Sequence, residues 1–388
     1  MTLAQRLADA GLAMPDYGGM ELGAVLPAAL SAIGAEAAVT HRDANADRER
    51  LGIPTARHVV VVMVDGLGHL QLDARRGHAP FLRSIVSATV TAGFPTTTAT
   101  SLTLFGTGEP AGQTGMMGYT TLNERTRGLA NLVSWEGAYR AEDWQPMPSL
   151  LANAAEEGFL VTTLGRRTFA GSGLTHAALR GGQFVGAELL VDRIDVALGA
   201  AREPGVSYCY WGELDAAGHR YGWNSDEWVA ALEDADRELS RLARELPAGA
   251  IMVVTADHGM IDVTGAPRWD VGSEAQLALG VDVVAGEPRA LHLHTRPHAA
   301  EAVASRWSEI LADNAVVFSK AEAEAGGVFG RVSDLARERI GDVIVTMTGR
   351  ACVMDSRTQS AQSMALIGMH GSLTPEELVV PLLVAEGS

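Results

Sequence analysis

A doubly wound, mostly parallel α/β sheet with helices on both faces and a small inserted cap subdomain is predicted by three features of this sequence. The run His58–Val64, HVVVVMV, is almost uniformly apolar and β-branched, as a strand buried on both faces must be. Runs of the same kind recur at Phe159–Leu164, Val206–Trp211, Ile251–Thr255, Val343–Met347 and Val379–Val384, with helical periodicity between them. Between Gly259 and Gly341 the pattern changes to Gly- and Pro-rich turns, a short alternating strand at Ala290–His294, and a helix over about 298–313.

Taken in order, residues 1–57 read as a helical and looped N-terminal wrap, with an amphipathic start and the charged stretch His41–Gly52. The α/β core follows over 58–260 and resumes over 341–388, and residues 261–340 form the inserted cap. Leu150–Glu157 and Asp226–Glu245 are the clearest helices between strands, the second with apolar residues at Val229, Leu232, Leu239 and Leu242.

The composition narrows the function classes. With 47% hydrophobic and 20% charged residues, the 388-residue chain can bury a sizeable core and does not read as disordered. Thirty basic against 47 acidic residues leave a net charge of −17, which excludes a broad nucleic-acid-binding face. An anionic substrate would then need its charge met locally, by metal ions. Two cysteines, Cys209 and Cys352, are too few for a disulfide framework and point to a reducing, cytoplasmic location. No apolar run approaches the roughly 18 residues of a membrane span, so no membrane partner is expected.

The chemistry centres on Gly93–Gly118. Phe94-Pro95 ends the preceding extended segment, and the run Thr96, Thr97, Thr98, Thr100 supplies hydroxyls at the start of a helix through Ser101–Phe105. Unpaired N–H groups and the helix dipole favour negative charge there, whether phosphate or alkoxide. Four further segments place acids or imidazoles just after strands: Asp65 in MVDGLG, Asp215 and His219 in ELDAAGHRYG, Asp257 and His258 in VTADHGM, and His370 in GMHGSLTPEEL. Carboxylate and imidazole sets of this kind suit two divalent metals, with Zn²⁺ favoured and Mn²⁺ or Fe²⁺ compatible. Taken singly, each has a plainer reading: a turn at Asp65-Gly66, a surface i,i+4 pair at Asp215 and His219, a cap at Asp257-His258, and a buried imidazole at His370. His292 and His294 alternate on one strand face and could bind a metal, but read rather as part of the cap surface. Tyr119, Trp135, Tyr210 and Trp211 are candidates for stacking on a base or aryl group.

In this order, VDG, PTTT followed by GTGEPxxxTG, DxxGHxxG, ADHGM and HGSLTPEE resemble the alkaline phosphatase superfamily over about residues 58–384. The closest likeness is to its nucleotide pyrophosphatase/phosphodiesterase branch, with phosphonoacetate hydrolase a near relative. The resemblance implies one metal held by Asp215, His219 and His370, and a second held by Asp65, Asp257 and His258 and touched by the nucleophile. It aligns the nucleophile with Thr98, and a register shift of one would give Thr97 instead. Tyr119 falls where the family has an Asn that binds a phosphate oxygen, so its hydroxyl, or the N–H after the nucleophile, would take that contact. Thr114 stands where the family commonly has a His. The implied enzyme is a metal-dependent phosphodiesterase or nucleotide pyrophosphatase acting on a small phosphate ester or nucleotide through a phospho-threonyl intermediate. A phosphomonoesterase, for which Arg166 and Arg167 would supply the positive charge, and a phosphomutase are the alternatives. Sulfatase chemistry is excluded, because neither cysteine lies in a C-x-P-x-R motif.

Overall fold

The computed structural model describes residues 1–387. Its main sheet contains β1 (His58–Val64), β2 (Val86–Thr91), β3 (Leu160–Gly165), β4 (Gln183–Gly186), β5 (Gly205–Trp211), β6 (Ala250–Thr255) and β7 (Val379–Glu386), in the spatial order β2-β7-β6-β1-β5-β3-β4. Pairing is parallel from β6 through β1, β5 and β3 to β4. Strand β7 runs against both of its neighbours, β6 and β2.

Every residue of β1 and β6 is buried, as their unbroken apolar runs require. Two groups of helices do the covering. Val25–Ala32, Thr98–Thr107 and Leu150–Glu156 pack on one another and on β1 and β3, while Leu190–Ala200 and Asp226–Glu245 pack together against β3, β5 and β6. Val25–Ala32 is buried at every position, so the N-terminal segment contributes core as well as wrapping it. In Asp226–Glu245 the buried stripe is Trp228, Leu232, Ala235, Leu239 and Leu242, and the Ser225 side chain caps the first turn by accepting from the Trp228 N–H.

A second, antiparallel sheet has the order Ala315–Ser319, Val343–Met347, Ala290–Thr295, Val281–Glu287, Thr120–Leu122, Leu129–Asn131. It therefore takes strands from both sides of the 261–340 span. Val343–Met347, expected among the parallel strands, belongs here and pairs antiparallel with both neighbours. Its apolar run has the same physical origin: Ile344 faces the inner apolar cluster with Phe318 and Phe329, and Val343, Val345 and Met347 face the outer one with Trp307 and Leu311. Burial on two faces marks the strand, not its direction. His292 and His294 also depart from expectation. They are buried, not on the cap surface, because they share the inward-facing side of Ala290–Thr295.

Register sets up the site. Val64 of β1 is level with Trp211 of β5, and Met63 with Thr255 of β6, so the segments after these strands leave the sheet along one edge. A two-stranded pairing of Ile261–Asp262 with Gly368–Met369 then brings His370 to the same edge.

Candidate active site

Asp65 leaves β1 in a turn that only a small residue can complete. Gly66 has φ +76°, and a Cβ there would stand 3.1 Å from the Asp215 Cα. This close approach brings two acids from distant parts of the sequence together. Asp215 and His219 lie one turn apart on the helix Glu213–Tyr221, with His219 Nε2 3.4 Å from Asp215 Oδ1. Asp257 and His258, fully buried just beyond β6, put His258 Nε2 3.4 Å from Asp65 Oδ1 and 3.6 Å from Asp257 Oδ2.

The three imidazoles are oriented alike. Each Nδ1–H donates to a backbone carbonyl: His219 to Gly368 at 2.7 Å, His258 to Gly259 at 3.0 Å, His370 to Thr96 at 2.8 Å. A carbonyl can only accept, so in the neutral imidazole Nε2 is the nitrogen that keeps its lone pair. Those lone pairs converge: His370 Nε2 is 3.2 Å from His219 Nε2, and the His258 and His370 rings stack with centroids 3.6 Å apart.

Thr98 is the first residue of the helix Thr98–Thr107, after an extended Thr97, and its Oγ1 lies 3.3 Å from His258 Nε2. Its neighbours are otherwise engaged. Thr96 Oγ1 donates to the Ser372 carbonyl at 2.8 Å and accepts from Gly371 N–H, and Thr100 Oγ1 donates to the Met116 carbonyl at 2.7 Å.

Oxygens of Asp65, Asp215 and Asp257 are buried without hydrogen-bond partners, and among the described residues the ion-pair partners of these acids are histidines alone. Burial, then the charges of Asp257 and Asp215, push the Asp65 carboxyl well above its ordinary range. Burial, then His258 and His219, hold His370 well below the usual imidazole value. Orphaned carboxylate oxygens facing imidazole lone pairs lack only positive charge, which divalent cations supply. The donor atoms fall into two groups, each within 4.8 Å: Asp215, His219 and His370, and Asp65, Asp215 and His258. Asp257 stands beside the second group, with its Oδ1 accepting from the Gly66 and His258 N–H groups.

Thr98 also lines a cavity of ≈ 290 Å³ between its helix and β3, walled by Leu102, Phe169, Phe184 and Tyr210, with the Tyr208 and Thr163 hydroxyls turned inward and unpartnered. No Lys, Arg or His lines it among the described residues. Arg166 is instead held by Glu213 at 2.6 Å, and both are partly exposed. Tyr210 does more than wall the cavity, because its hydroxyl donates to Asp65 Oδ2. Trp135 stays outside, its indole donating to the Tyr139 carbonyl at 2.8 Å and its ring packed edge-on against Trp144.

Tyr119 is not brought to this cavity. Its side chain is 42% exposed and lines a separate cavity of ≈ 570 Å³ over the second sheet. The floor of that cavity carries Glu287, a residue no sequence motif marked. Thr97 and the Tyr119 N–H lie beside its carboxyl, yet both carboxyl oxygens lack a hydrogen-bond partner, and burial pushes the group up to about 8.

A doubly wound sheet carrying a threonine and two carboxylate–imidazole groups along one edge defines a hydrolase of the alkaline phosphatase type. The sequence model of the type I phosphodiesterase / nucleotide pyrophosphatase family matches residues 59–373, and the chain belongs to that family, whose members hydrolyse phosphoester bonds. Human ectonucleotide pyrophosphatase/phosphodiesterase 5 superposes with a TM-score of 0.68 at 16% identity, covering 85% of this chain and 87% of that one. An inactive form of the murine counterpart in complex with AMP gives 0.67 at 17% identity, over 85% and 87%. Phosphonoacetate hydrolase from Sinorhizobium meliloti 1021, in complex with phosphonoacetate, gives 0.65 at 19% identity, over 86% and 91%. No curated protein sequence matches this chain.

Proposed function

We propose that this chain is a metal-dependent phosphodiesterase or nucleotide pyrophosphatase in which Thr98 is the nucleophile. The observation carrying this reading is that Thr98 Oγ1 lies 3.3 Å from His258 Nε2, where imidazoles and orphaned carboxylate oxygens meet. Asp215, His219 and His370 would hold one dication, and Asp65, Asp257 and His258, with Thr98, the other. When bound, a pair of Zn²⁺ or Mn²⁺ ions lowers the pKa of a coordinated hydroxyl and neutralises charge spread over the phosphoryl oxygens.

The start of the helix Thr98–Thr107 fixes the hydroxyl and directs unpaired N–H groups toward incoming negative charge. Thr98 Oγ1 forms its bond to phosphorus as the opposite ester oxygen departs, and water then cleaves the phospho-threonyl ester, regenerating the hydroxyl. Tyr210 orients Asp65 by donating to it. The cavity on Thr98, apolar and without a basic side chain, suits the organic group of a diester or pyrophosphate better than the dianion of a monoester. A nucleobase or aryl group would meet Phe169, Phe184 and Tyr210, and the inward hydroxyls of Tyr208 and Thr163 would hydrogen-bond it. Two unpaired, buried thiols fit a cytoplasmic location.

Activity is tested with p-nitrophenyl phosphate, bis-p-nitrophenyl phosphate, a p-nitrophenyl nucleotide ester and a nucleotide sugar, with and without Zn²⁺ or Mn²⁺. Diesters should be preferred over the monoester, and a monoester preference would overturn the reading. A substrate chiral at phosphorus should be hydrolysed with retention, because two inversions cancel; net inversion would exclude the covalent route.

A further inference from the structure

Asp65 and Asp257 each have one carboxylate oxygen engaged and one free, but what engages them differs. Asp257 Oδ1 accepts from the Gly66 and His258 N–H groups at 3.2 and 3.1 Å, which leaves Oδ2 unpartnered. Both donors are backbone, so they come with the fold. On Asp65 the engaged oxygen is Oδ2, which accepts from the Tyr210 hydroxyl, while Oδ1 is unpartnered and lies 3.4 Å from His258 Nε2. Here the donor is a side chain, and among the described residues it is the only one that reaches this carboxylate. A carboxylate with neither oxygen engaged turns easily about its last bond and can offer a metal either oxygen or both; a donor on Oδ2 removes that freedom.

The fold in turn holds the phenol. Tyr210 of β5 is level with Met63 of β1, so its side chain stands beside the turn in which Asp65 leaves the sheet. Phe169 packs edge-on against the ring, with centroids 5.8 Å apart. A Cβ on Gly212 would come within 3.0 Å of Tyr210 Cε1 and 3.1 Å of its hydroxyl oxygen, closer than ordinary van der Waals contact, so the missing side chain makes the room in which the phenol reaches Asp65. The same ring walls the cavity on Thr98. Tyr210 thus touches both the carboxylate cluster and the space beside the reacting hydroxyl.

We propose that Tyr210 is a positioning residue with two separable parts. Its hydroxyl locks Asp65 so that Oδ1 alone faces the metal of the Asp65, Asp257 and His258 group, and its ring bears on the organic ester group. This rests on the two-metal phosphodiesterase reading above and assigns within it the residue that sets the affinity of one metal and not the other. His219 and His370, in the other group, are oriented by the Gly368 and Thr96 carbonyls and owe nothing to the phenol.

The test titrates wild type, Tyr210→Phe, Gly212→Ala and Phe169→Leu with Zn²⁺ against a chelator of known affinity and counts the bound ions. Wild type should hold two. Tyr210→Phe should hold one as wild type does and bind the other about 10- to 100-fold more weakly. Its kcat for bis-p-nitrophenyl phosphate should recover as Zn²⁺ is raised, with KM at saturating metal near wild type, because the ring is kept. Gly212→Ala retains the hydroxyl but crowds the phenol off Asp65, and should weaken the same ion by a smaller factor. Phe169→Leu should raise KM severalfold and leave both metal affinities alone. If Tyr210→Phe fails to fold, Gly212→Ala decides. Two ions held as tightly as in wild type, or both weakened alike, overturn this inference and leave the diesterase reading intact. Wild type that binds fewer than two ions overturns the two-metal reading as well.

Discussion

Arg289 with Glu377, and Asp65 with Asp215 and Asp257, are two sets of buried charge in one chain, completed in opposite ways. Arg289 meets Glu377 through two bonds of 2.7 Å and donates further to the Ala351 and Gly349 carbonyls. Glu377 in turn accepts from the Ser372 N–H and the Thr374 hydroxyl, so both carboxylate oxygens and all three guanidinium nitrogens have partners. The aspartates have only imidazoles opposite them and retain unpartnered oxygens. A satisfied pair holds one conformation together; an unsatisfied cluster keeps its binding capacity for something outside the chain.

The largest effect should come from the functional side of this contrast. Thr98→Ala should lower kcat about a thousandfold or more while bound metal and melting temperature stay near wild type; a loss under tenfold would remove Thr98 from the chemistry. On the structural side, Arg289→Met strands the Glu377 carboxylate and should cost about 3–5 kcal/mol in urea unfolding. A double change of Arg289 and Glu377 to apolar residues should cost less than the single one, and equal costs would mean that the pair is not coupled.

Buried histidines on the second sheet add a pH arm. Burial brings His292 down to about 3 and His294 to about 4, so both stay neutral in the fold but protonate in the unfolded chain below its ordinary value of 6.5. Stability should be intact above about pH 6.5 and fall as pH drops toward 4, with His292 accounting for on the order of 3 kcal/mol. Chelated His292→Asn protein, whose side chain can still accept from the Gly341 N–H, should show a shallower acid slope than chelated wild type. Parallel slopes would place the acid sensitivity elsewhere.

Smaller again is Asp65→Asn, which relieves like-charge crowding. The metal-free protein should gain about 1 kcal/mol, yet lose the rise in melting temperature that Zn²⁺ gives wild type. If chelated Asp65→Asn melts lower, the cluster is not repulsive and the contrast with Arg289 fails. Least of all, Arg166→Ala should change stability by under about 0.5 kcal/mol and diester turnover by under about twofold, because its pair with Glu213 is partly exposed. A large loss on phosphate monoesters would instead give Arg166 the basic role considered from sequence.

The central strands β1, β5 and β6 were legible because burial on two faces forces a continuous apolar run, and Asp65, Asp215 and Asp257 were legible because each closely follows such a run, whereas His370 was marked only by its motif. Strand β2, VSATVT, and strand β4, QFVG, sit at the two edges and carry small or hydroxylated residues that no periodicity distinguishes from loop. Val343–Met347 shows the converse ambiguity, since packing between two apolar clusters writes the same pattern as a parallel strand. Of the competing threonines, Thr98 was singled out by motif alignment, and the structure adds that its hydroxyl faces His258 while Thr96 and Thr100 are hydrogen-bonded elsewhere. Glu287 left no signal at all, because an acid before Pro288 reads as a turn until its strand carries it beneath Tyr119.

Strand β7 has one more consequence, in time rather than space. Edge strand β2 reaches the rest of the sheet only through β7, and the turn carrying His370 lies just ahead of it in the chain. During synthesis the ribosome releases Thr98, Asp65 and Asp257 long before either of these. If Thr98 is the nucleophile proposed above, a nascent chain would hold its hydroxyl idle until the segment carrying His370 and β7 has joined the sheet.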